Sequence, residues 1–317
     1  ASDVYKRQPR HIGDTVTHNV QRITVPRRVL KYLRPDVAIS FTARMNVQNL
    51  IAVHGTGIPI IVSERNNPIA QRQPLEWEVL RKNLYPYASA LVLQTRSVRR
   101  WAQGFISGEK IHVIPNPLTQ ENEISEEISP CPKGMPIVCS LGRLTRSKGF
   151  DILLKSFSIA TADKPQWGLL IMGEGEERRF LEEMARTLGI RERVFFPGRV
   201  KNPSYQLNQA KFFVLSSRHE GFPNALLEAM AAGIAAIAAD CPFGPSEIIT
   251  HDVDGLLVPN EDIDSLSRSM HLLMEDREKR ESLGARARKN VKRYSPDIVM
   301  AQWEELISRV TQVREIP

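Results

Sequence analysis

The chain has 317 residues, of which 42% are hydrophobic and 25% charged, and a formal net charge of +7. These fractions are typical of globular proteins and exclude disordered and fibrous classes, while the length corresponds to about two domains. No run of 18 apolar residues occurs, so no membrane-spanning helix is expected. The three cysteines, at 131, 139 and 241, match neither a metal-binding spacing nor a disulfide scaffold. This composition favours a soluble protein of a reducing compartment.

The net positive charge is concentrated in the front half. Residues 1–120 contain 17 Lys and Arg against 7 Asp and Glu, whereas residues 121–317 contain 26 against 29. This asymmetry favours an anionic partner for the front half, either nucleic acid or an acidic membrane surface. The basic residues lack the interleaved aromatic side chains of a base-stacking surface, which argues against nucleic acid. A solvated basic face without a partner is the remaining alternative.

The first eight residues, ASDVYKRQ, match the translated end of a transposase sequencing adapter. We therefore predict that residues 1–8 are a scar outside the natural protein and that a natural N-terminal segment is missing.

Predicted strands and helices alternate along the chain, which indicates α/β layers with parallel sheets. The front-half strands are predicted at 37–40, 58–63, 90–94 and 111–114. The helices between them are predicted at 26–33, 45–54, 77–85 and 97–105. Four strands instead of six predict that about two βα units are absent from this half. An acidic and then Pro/Ser-rich stretch at 119–134 predicts an interdomain linker.

The second half repeats the pattern with six predicted strands, which is the count of a complete Rossmann-like domain. These strands are predicted at 136–141, 168–172, 194–196, 212–216, 234–238 and 255–258. The helices are predicted at 150–160, 176–188, 204–209, 224–232, 262–274, 277–294 and 297–311. Two such domains in tandem bind ligands at the carboxyl ends of their strands.

A basic loop follows the first strand of the second half. Its sequence, GRLTRSKG at 142–149, offers the planar guanidinium of Arg143 and the mobile charge of Lys148, both suited to phosphate oxygens. The GxxxxGK[ST] spacing of a P-loop is absent. A solvated basic loop without a ligand is the alternative interpretation.

A second loop, SSRHEGFPNALLE at 216–228, precedes a helix whose free N–H groups suit a diphosphate. Glu220 lies in the loop and Glu228 just over one turn into the helix, so both carboxylates can reach one ligand and hold sugar or ribose hydroxyls. The spacing fits an alternative without a ligand equally well, in which Glu220 is a surface residue and Glu228 is favoured by the helix dipole. A third segment, FFPGRV at 195–200, either exposes backbone groups to a base or is an ordinary strand exit.

The motifs GRLTRSKG, FFPGRV, EGFPNALLEAMAAG, DCPFGPSEII and DGLLVP, in this order and spacing, resemble those of the retaining GT-B glycosyltransferases of glycosyltransferase family 4. The resemblance covers about Pro26 to the C-terminus. The segment IVSERNNP at 61–68 resembles a narrower branch, which includes exopolysaccharide transferases of the amylovoran type and N-acetylgalactosamine transferases of lipid-linked glycan assembly.

The resemblance implies an α/β protein of GT-B fold, in which two Rossmann-like domains face each other across a cleft, the N-terminal one incomplete. The implied domains are a truncated acceptor-side domain at 9–118, a linker at 119–134 and a nucleotide-sugar-binding domain at 135–296. The C-terminal helix at 297–317 is expected to pack back on the N-terminal domain.

By this resemblance, Arg143 and Lys148 hold the donor diphosphate and stabilise the leaving group. Glu220 and Glu228 match the two Glu of the family's E-x7-E motif. Glu220, which is expected beside the donor sugar, is an implied catalytic residue together with Arg143 and Lys148. Glu228 is expected to hold the ribose hydroxyls. The other implied donor-site residues lie near the diphosphate or the base: Gly221, Phe222, Pro223, Asn224, Arg199 and Val200.

Many family members carry a His in the front domain near the reacting centre. At the corresponding strand end this chain has Glu64 and Arg65, which are candidates for the acceptor side. Because this chain differs from the family at that position, the resemblance does not identify a catalytic residue in the front domain.

The implied reaction transfers a hexosyl or N-acetylhexosaminyl group, with retention, from a nucleotide sugar expected to be UDP-linked. The acceptor is expected to be a glycan or a lipid-linked glycan of bacterial surface polysaccharide synthesis. No metal and no cofactor are expected, because Arg143, Lys148 and a helix dipole can stabilise the departing diphosphate. Two alternatives stay open: a non-catalytic GT-B subunit of glycan assembly, and an epimerase of UDP-N-acetylhexosamine.

Five basic residues cluster within 13 positions near the start of the chain: Arg22, Arg27, Arg28, Lys31 and Arg34. On a helix from Pro26, Arg27, Lys31 and Arg34 share one face, with Leu30 and Leu33 beside them. This pattern predicts reversible attachment to an anionic membrane surface, on the cytoplasmic face of the inner membrane. If the leucines instead pack on the sheet, only a solvated charged edge remains.

Overall fold

The computed structural model describes residues 12–69, 72–118 and 130–312, with side chains from residue 20 onward. The predicted adapter scar at 1–8 and most of the predicted linker lie outside the described residues. The chain divides into two compact units. The first ends at Ile114 and also includes the C-terminal residues from Gln302, and the second runs from Pro115 to Ala301.

The first unit contains a parallel four-stranded sheet in the order β1-β2-β3-β4. Its strands are β1 Ala38–Phe41, β2 Ile60–Ser63, β3 Ala90–Leu93 and β4 Ile111–Val113. β2 and β3 are buried along their whole length, which is why they are continuous apolar runs instead of alternating ones. All four predicted front-half strands are therefore confirmed, with bounds that differ by a residue or two.

The helices of the first unit are α1 Ile12–Leu33, α2 Ala43–Val53, α3 Leu75–Leu84 and α4 Arg99–Ala102. α1 begins well before the predicted start and contains Pro26 within it. The sequence rule that places proline in the first turn therefore led to a helix that was too short.

The second unit contains a parallel six-stranded sheet in the order β10-β9-β8-β5-β6-β7. Its strands are β5 Ile137–Leu141, β6 Gly168–Met172, β7 Val194–Gly198, β8 Phe212–Leu215, β9 Ala235–Asp240 and β10 Leu256–Pro259. Counted from β5, this is the 3-2-1-4-5-6 order of a Rossmann sheet. The order places β5 and β8 side by side, with Val138 paired to Phe212 and Cys139 to Phe213.

Helices cover both faces of this sheet. They are α5 Phe150–Ala160, α6 Arg178–Thr187, α7 Pro203–Gln209, α8 Asn224–Ala232, α9 Pro245–Ile248, α10 Ile263–Glu275, α11 Arg277–Asn290 and α12 Pro296–Gln312, the last of which continues into the first unit. Successive strand residues enter opposite cores because side chains alternate along a strand. Phe212 belongs to the core that includes residues of α5, α6 and α10, and Phe213 to the core that includes residues of α7, α8 and α11.

Local signals in the sequence account for several helix ends. Asp262 caps α10 by accepting the Ser265 N–H at 2.9 Å, and Asp276 caps α11 through the Lys279 N–H at 2.8 Å. α8 ends at Gly233, whose φ of 77° is the left-handed conformation that glycine adopts at low cost. No described helix is long and apolar enough to cross a membrane.

Candidate functional site

The two predicted loops of the second unit meet at the carboxyl ends of β5 and β8. Residues 142–149 follow β5 and residues 216–223 follow β8, and these strands are neighbours in the sheet. Gly149 has a φ of 64°, and a Cβ there would lie 2.0 Å from the Ser216 carbonyl oxygen. Only glycine allows this contact, so the glycine that ends the basic loop brings the two loops together.

Lys148 and Glu220 form an ion pair across these loops. The Lys148 Nζ lies 2.6 Å from the Glu220 Oε1, and the Ser217 hydroxyl donates to the same oxygen at 2.6 Å. Glu220 is buried with 7% of its side chain exposed, whereas 23% of Lys148 is exposed. A carboxylate so far removed from water requires partners, and the ammonium and the hydroxyl supply them. The structure therefore joins two residues that the sequence separates by 72 positions.

The loop after β9 contributes Cys241 to the same place. Burial and, to a smaller extent, the charge of Glu220 raise the pKa of the Cys241 thiol to about 12, although Lys148 opposes the rise. The thiol is therefore a neutral neighbour of the ion pair. A Cβ at Gly244, which follows in this loop, would lie 2.7 Å from the Pro223 Cδ. Neither contact was predicted, because nothing in the local sequence relates residues 241–244 to Glu220.

The other predicted donor-site residues of these two loops differ in their burial. Arg143 is exposed and pairs with no carboxylate in the part of the chain that the structure describes. Phe222 and Pro223 are buried, and Asn224 starts α8 as an exposed residue whose amide oxygen accepts from Asn116 at 2.9 Å. Gly221 is half-buried between Glu220 and Phe222.

Glu228 and the β7 exit lie farther along the same edge of the sheet. Glu228 is half-buried in the second turn of α8. Arg199, which is exposed, and Val200, which is half-buried, directly follow β7. The place of these three residues in a donor site stays a prediction.

Arg218 is a residue that the sequence analysis missed. Its guanidinium donates to both carboxylate oxygens of Asp151 and to Glu261 Oε2 at 2.8 Å. It also donates to the Arg146 carbonyl at 2.8 Å, and its backbone N–H donates to the Ser147 carbonyl at 2.9 Å. One side chain thus ties three loops together. The sequence offered no signal for this role beyond an Arg two residues before a candidate Glu.

Glu64, the acceptor-side candidate of the first unit, lies in a buried polar network at the end of β2. Tyr85 Oη donates to Glu64 Oε1, and Asn46 Nδ2 donates to Tyr85 Oη at 3.0 Å. Arg81, of which 1% is exposed, places Nη1 3.5 Å from Glu64 and Nη2 2.5 Å from Glu78. Burial raises the pKa of Glu64, although Tyr85 and Arg81 oppose the rise.

Arg65 points to a different environment. Its guanidinium lies over the rings of Phe41 at 4.8 Å and Trp303 at 5.8 Å, and Phe41 and Trp303 contact each other at 6.2 Å between centroids. Stacking of this kind holds a cation against an aromatic surface. The two adjacent candidates, Glu64 and Arg65, therefore lie in different surroundings, one in a buried polar network and one against aromatic rings.

The predicted basic face on α1 requires a correction. Arg27 is half-buried and donates to the carbonyls of Ala52 at 3.0 Å and His54 at 2.8 Å, because a cation stabilises the C-terminal end of α2. Arg34 follows the end of the helix with a φ of 45°. Arg27 is therefore engaged with the end of α2 and Arg34 lies beyond the helix, so these two residues and Lys31 do not form the predicted exposed basic face. The exposed apolar residues instead follow i, i+4, i+7, i+8 spacing: Val25, Val29, Tyr32 and Leu33.

Metal-ligating side chains are not grouped at this site. Across the described residues, no cluster of three or more His, Cys, Asp or Glu side chains is placed to hold a metal ion.

Comparison with known proteins identifies relatives that match most of the chain. The model of a family described as glycosyl transferases group 1 matches residues 121–290. A Campylobacter jejuni α-1,4-N-acetyl-D-galactosaminyltransferase that acts on an undecaprenol-linked glycan is 30% identical over 94% of this chain and 82% of that protein. An exopolysaccharide phosphotransferase of Streptomyces coelicolor is 32% identical over 73% of this chain, which spans 24% of that protein's length. The predicted resemblance to exopolysaccharide and lipid-linked N-acetylgalactosamine transferases is confirmed.

Solved structures share the fold. Anabaena HepE, solved in complex with UDP, superimposes with a TM-score of 0.78 and 20% identity over 90% of this chain and 82% of that one. The predicted GT-B fold is confirmed by this likeness.

Proposed function

Because the chain belongs to the glycosyl transferases group 1 family, we propose that it transfers a hexosyl or N-acetylhexosaminyl group from a UDP-linked sugar with retention of configuration. The acceptor is a glycan, free or lipid-linked, of bacterial surface polysaccharide synthesis. The observation that carries this proposal is the 2.6 Å pair between Lys148 and Glu220, which unites the basic loop with the first Glu of the E-x7-E motif.

The chemistry follows from the charges around that pair. Cleavage of the glycosidic bond to a diphosphate leaves negative charge on the departing oxygens, and fixed positive groups lower the barrier most when they are placed in advance. Lys148 is held in place by Glu220, Arg143 is exposed toward solvent, and the N–H groups at the start of α8 add a positive dipole end. These groups support transfer without a metal ion.

The Glu220 carboxylate supports contact with the donor sugar. It is buried, ionically paired and bonded to Ser217, so its remaining oxygen has a fixed direction in which to accept sugar hydroxyls. Glu228, half-buried in α8, is proposed to hold the ribose diol. Arg199 and Val200 are proposed to lie beside the base.

The donor and the acceptor are inferred from relatives. HepE was solved with UDP and with UDP-glucose, which supports a UDP-linked donor. The Campylobacter jejuni relative acts on an undecaprenol-linked glycan, which supports a lipid-linked acceptor. Glu64 and Arg65, at the carboxyl end of β2, are proposed to face that acceptor from the first unit.

A lipid-linked acceptor is consistent with attachment to an anionic membrane surface. The exposed stripe of Val25, Val29, Tyr32 and Leu33 on α1 is accompanied by the exposed basic residues Arg28 and Lys31. An apolar stripe with neighbouring cations favours the surface of an anionic bilayer. We propose reversible attachment of the protein to such a surface, on the cytoplasmic face of the inner membrane.

A donor screen tests the proposed function. The protein is incubated with UDP- and GDP-linked sugars and a lipid-linked glycan extract, with and without EDTA, while nucleoside diphosphate release and the anomeric configuration of the product are measured. We expect UDP release that depends on acceptor, resists EDTA and gives an α-linked product from an α-linked donor. Binding of UDP-sugar without release would instead indicate a non-catalytic subunit. Isomerised sugar nucleotide without acceptor would indicate an epimerase.

A further inference from the structure

A small cavity opens at the carboxyl ends of β1 and β2 in the first unit. It has a volume of about 200 Å³, and its walls include Thr42, Arg44, Glu64, Asn66 and Arg81. Ligands of open α/β sheets bind at this edge. The volume is below the roughly 300–1,000 Å³ of sites for drug-sized ligands, so the cavity has room for one sugar ring but not for a disaccharide.

The charges of the cavity balance. Arg44 and Arg81 line it with two positive charges, Glu64 supplies one negative charge, and Glu78 supplies another through its 2.5 Å pair with Arg81. A phosphate or carboxylate brought into this space gains no net attraction and meets a buried carboxylate within a medium of low dielectric. An uncharged ligand meets no such repulsion.

The walls contain both donors and acceptors. Arg81 is 1% exposed, and its Nε–H has no acceptor within the described part of the chain. Glu64 offers acceptor oxygens beside the guanidinium, and Arg44 is held at the rim by Gln73 at 3.1 Å and by the ring of Trp77 at 5.4 Å. A sugar hydroxyl both donates and accepts, so a ring bearing several hydroxyls satisfies such a mixed lining.

Backbone strain accompanies the cavity. Thr42 adopts φ 73° and ψ 143°, a conformation that costs a β-branched residue free energy. It is held there by its N–H, which donates to the Ser63 carbonyl at 3.1 Å, and by its carbonyl, which accepts from the Asn46 N–H at 2.8 Å. Strain maintained in this way is a feature of ligand sites.

We propose that this cavity binds one uncharged pyranose ring of the acceptor, with Glu64 accepting and Arg81 and Arg44 donating hydrogen bonds to its hydroxyls. The inference rests on the proposed transferase function. It narrows the range of acceptors to those whose receiving sugar carries neither phosphate nor carboxylate. Arg81, which pairs with both Glu64 and Glu78, determines this specificity together with Arg44, because the two guanidinium groups balance the two carboxylates.

Ligand-observed NMR titration of the full chain saturated with UDP tests the proposal. The probes are the methyl α-pyranosides of glucose, galactose and N-acetylgalactosamine, compared with glucose 6-phosphate and methyl α-glucuronide. We expect at least one neutral pyranoside to bind with a Kd in the millimolar range and the charged sugars to bind at least tenfold more weakly. Equal or tighter binding of the charged sugars, or no binding of any neutral pyranoside, would overturn the inference.

Matched variants locate the site. Glu64→Gln and Arg81→Met are expected to weaken binding of the neutral pyranoside about tenfold, which corresponds to about 1.4 kcal/mol. The exposed neighbours Glu76→Gln and Arg72→Met are expected to leave it unchanged. If Arg81→Met does not fold, Arg44→Met at the exposed rim provides the same test.

Measuring UDP binding beside pyranoside binding distinguishes failure of the cavity proposal from failure of the transferase proposal. UDP affinity, measured by calorimetry on the same samples, depends on the second unit. Pyranoside affinity that survives Glu64→Gln while UDP still binds contradicts only the cavity proposal. Loss of UDP binding in the unaltered protein contradicts the transferase function itself, and the cavity proposal with it.

Discussion

Arg218 and Asp151 form a bidentate pair, with Nη1 2.8 Å from Oδ1 and Nη2 2.7 Å from Oδ2. Asp151 lies in the first turn of α5, three residues after Lys148, and Arg218 lies two residues before Glu220. The pair therefore holds the loop that carries Lys148 against the loop that carries Glu220. Since a carboxylate and a guanidinium match in plane and spacing, this contact restricts orientation as well as distance.

We expect Arg218→Met and Asp151→Asn to be strongly non-additive. Their coupling in the free energy of unfolding should be about 1–2 kcal/mol, as for a partly buried, charge-assisted pair, and either variant should raise the Kd for UDP. Denaturant unfolding and calorimetry measure the two effects. The exposed Arg186–Glu183 pair serves as the control, because such pairs contribute at most about 1 kcal/mol. A coupling no larger than that of the control contradicts the assignment.

The same pair predicts a pH dependence. Burial acts to raise the pKa of Asp151, but the hydrogen bonds and charge of Arg218 outweigh it and hold the pKa below the usual value of 3.8. The stabilisation is therefore present above that value and is lost as pH falls through the lower pKa of the folded state. The stability difference between the natural protein and Arg218→Met should be constant near neutral pH and shrink in acid.

Lys148→Ala should lower the turnover number by roughly 10²–10³, because it removes a preorganised charge from the departing diphosphate. It also leaves Glu220 buried without its cation, so the melting temperature is measured alongside activity. Lys155→Ala, at an exposed position of α5, is the control and should retain full activity. A turnover number near that of the control would exclude Lys148 from the mechanism.

Glu228→Gln should weaken UDP binding by roughly 10- to 100-fold, since a hydrogen bond to a charged group contributes about 1.5–3 kcal/mol. The specific readout is the comparison of UDP with 2′-deoxy-UDP by calorimetry. The natural protein should prefer UDP, and the variant should lose much of that preference. An unchanged preference would show that Glu228 does not contact the ribose 2′-hydroxyl.

Tyr85→Phe should destabilise the first unit by about 1–3 kcal/mol, because it removes the hydroxyl that donates to buried Glu64. Tyr87→Phe is a matched control, as 77% of Tyr87 is exposed, and should change stability little. Denaturant unfolding distinguishes the two. Equal effects of both substitutions would contradict a structural role for the Tyr85–Glu64 hydrogen bond.

Tyr85→Phe should also change the pH profile. Burial raises the pKa of Glu64 above 4.5, so its contribution to stability is complete below that value and is lost as pH rises through the folded pKa. Because the Tyr85 hydroxyl lowers this pKa, its removal should shift the loss to higher pH. The free energy of unfolding is measured across pH for the unaltered protein, Tyr85→Phe and Glu64→Gln. The difference from Glu64→Gln isolates the contribution of the Glu64 carboxyl.

Double substitution of Val29 and Leu33 by Asp should abolish binding to vesicles rich in anionic lipid, because it places charge in the exposed stripe of α1. Co-sedimentation at low and high salt measures binding, which in the natural protein should weaken as salt rises. Phe180→Asp, at a position 53% exposed on α6, is the control. Binding that does not depend on lipid charge would contradict the proposed attachment to an anionic membrane surface.

The sequence alone determined the succession of strands and helices. Runs such as IPIIVS and FFVLSS are apolar because both faces of a parallel strand are buried, and glycine or Asp marks the ends of α8, α10 and α11. Each motif that carries the resemblance is also a short run of consecutive residues, in one strand or helix or in the loop beside it. Information of this kind is local, so it can be obtained without coordinates.

Only the tertiary structure decided which side chains meet. The Lys148–Glu220 pair, the Arg218 contacts and the Glu64–Arg81–Tyr85 network each join loops or elements that the sequence separates. Arg27 was expected on an exposed basic face, but it bonds to the end of α2 because that helix terminus presents unpaired carbonyls. Helical periodicity specifies which residues share a face, whereas the neighbour that covers the face is set by long-range packing.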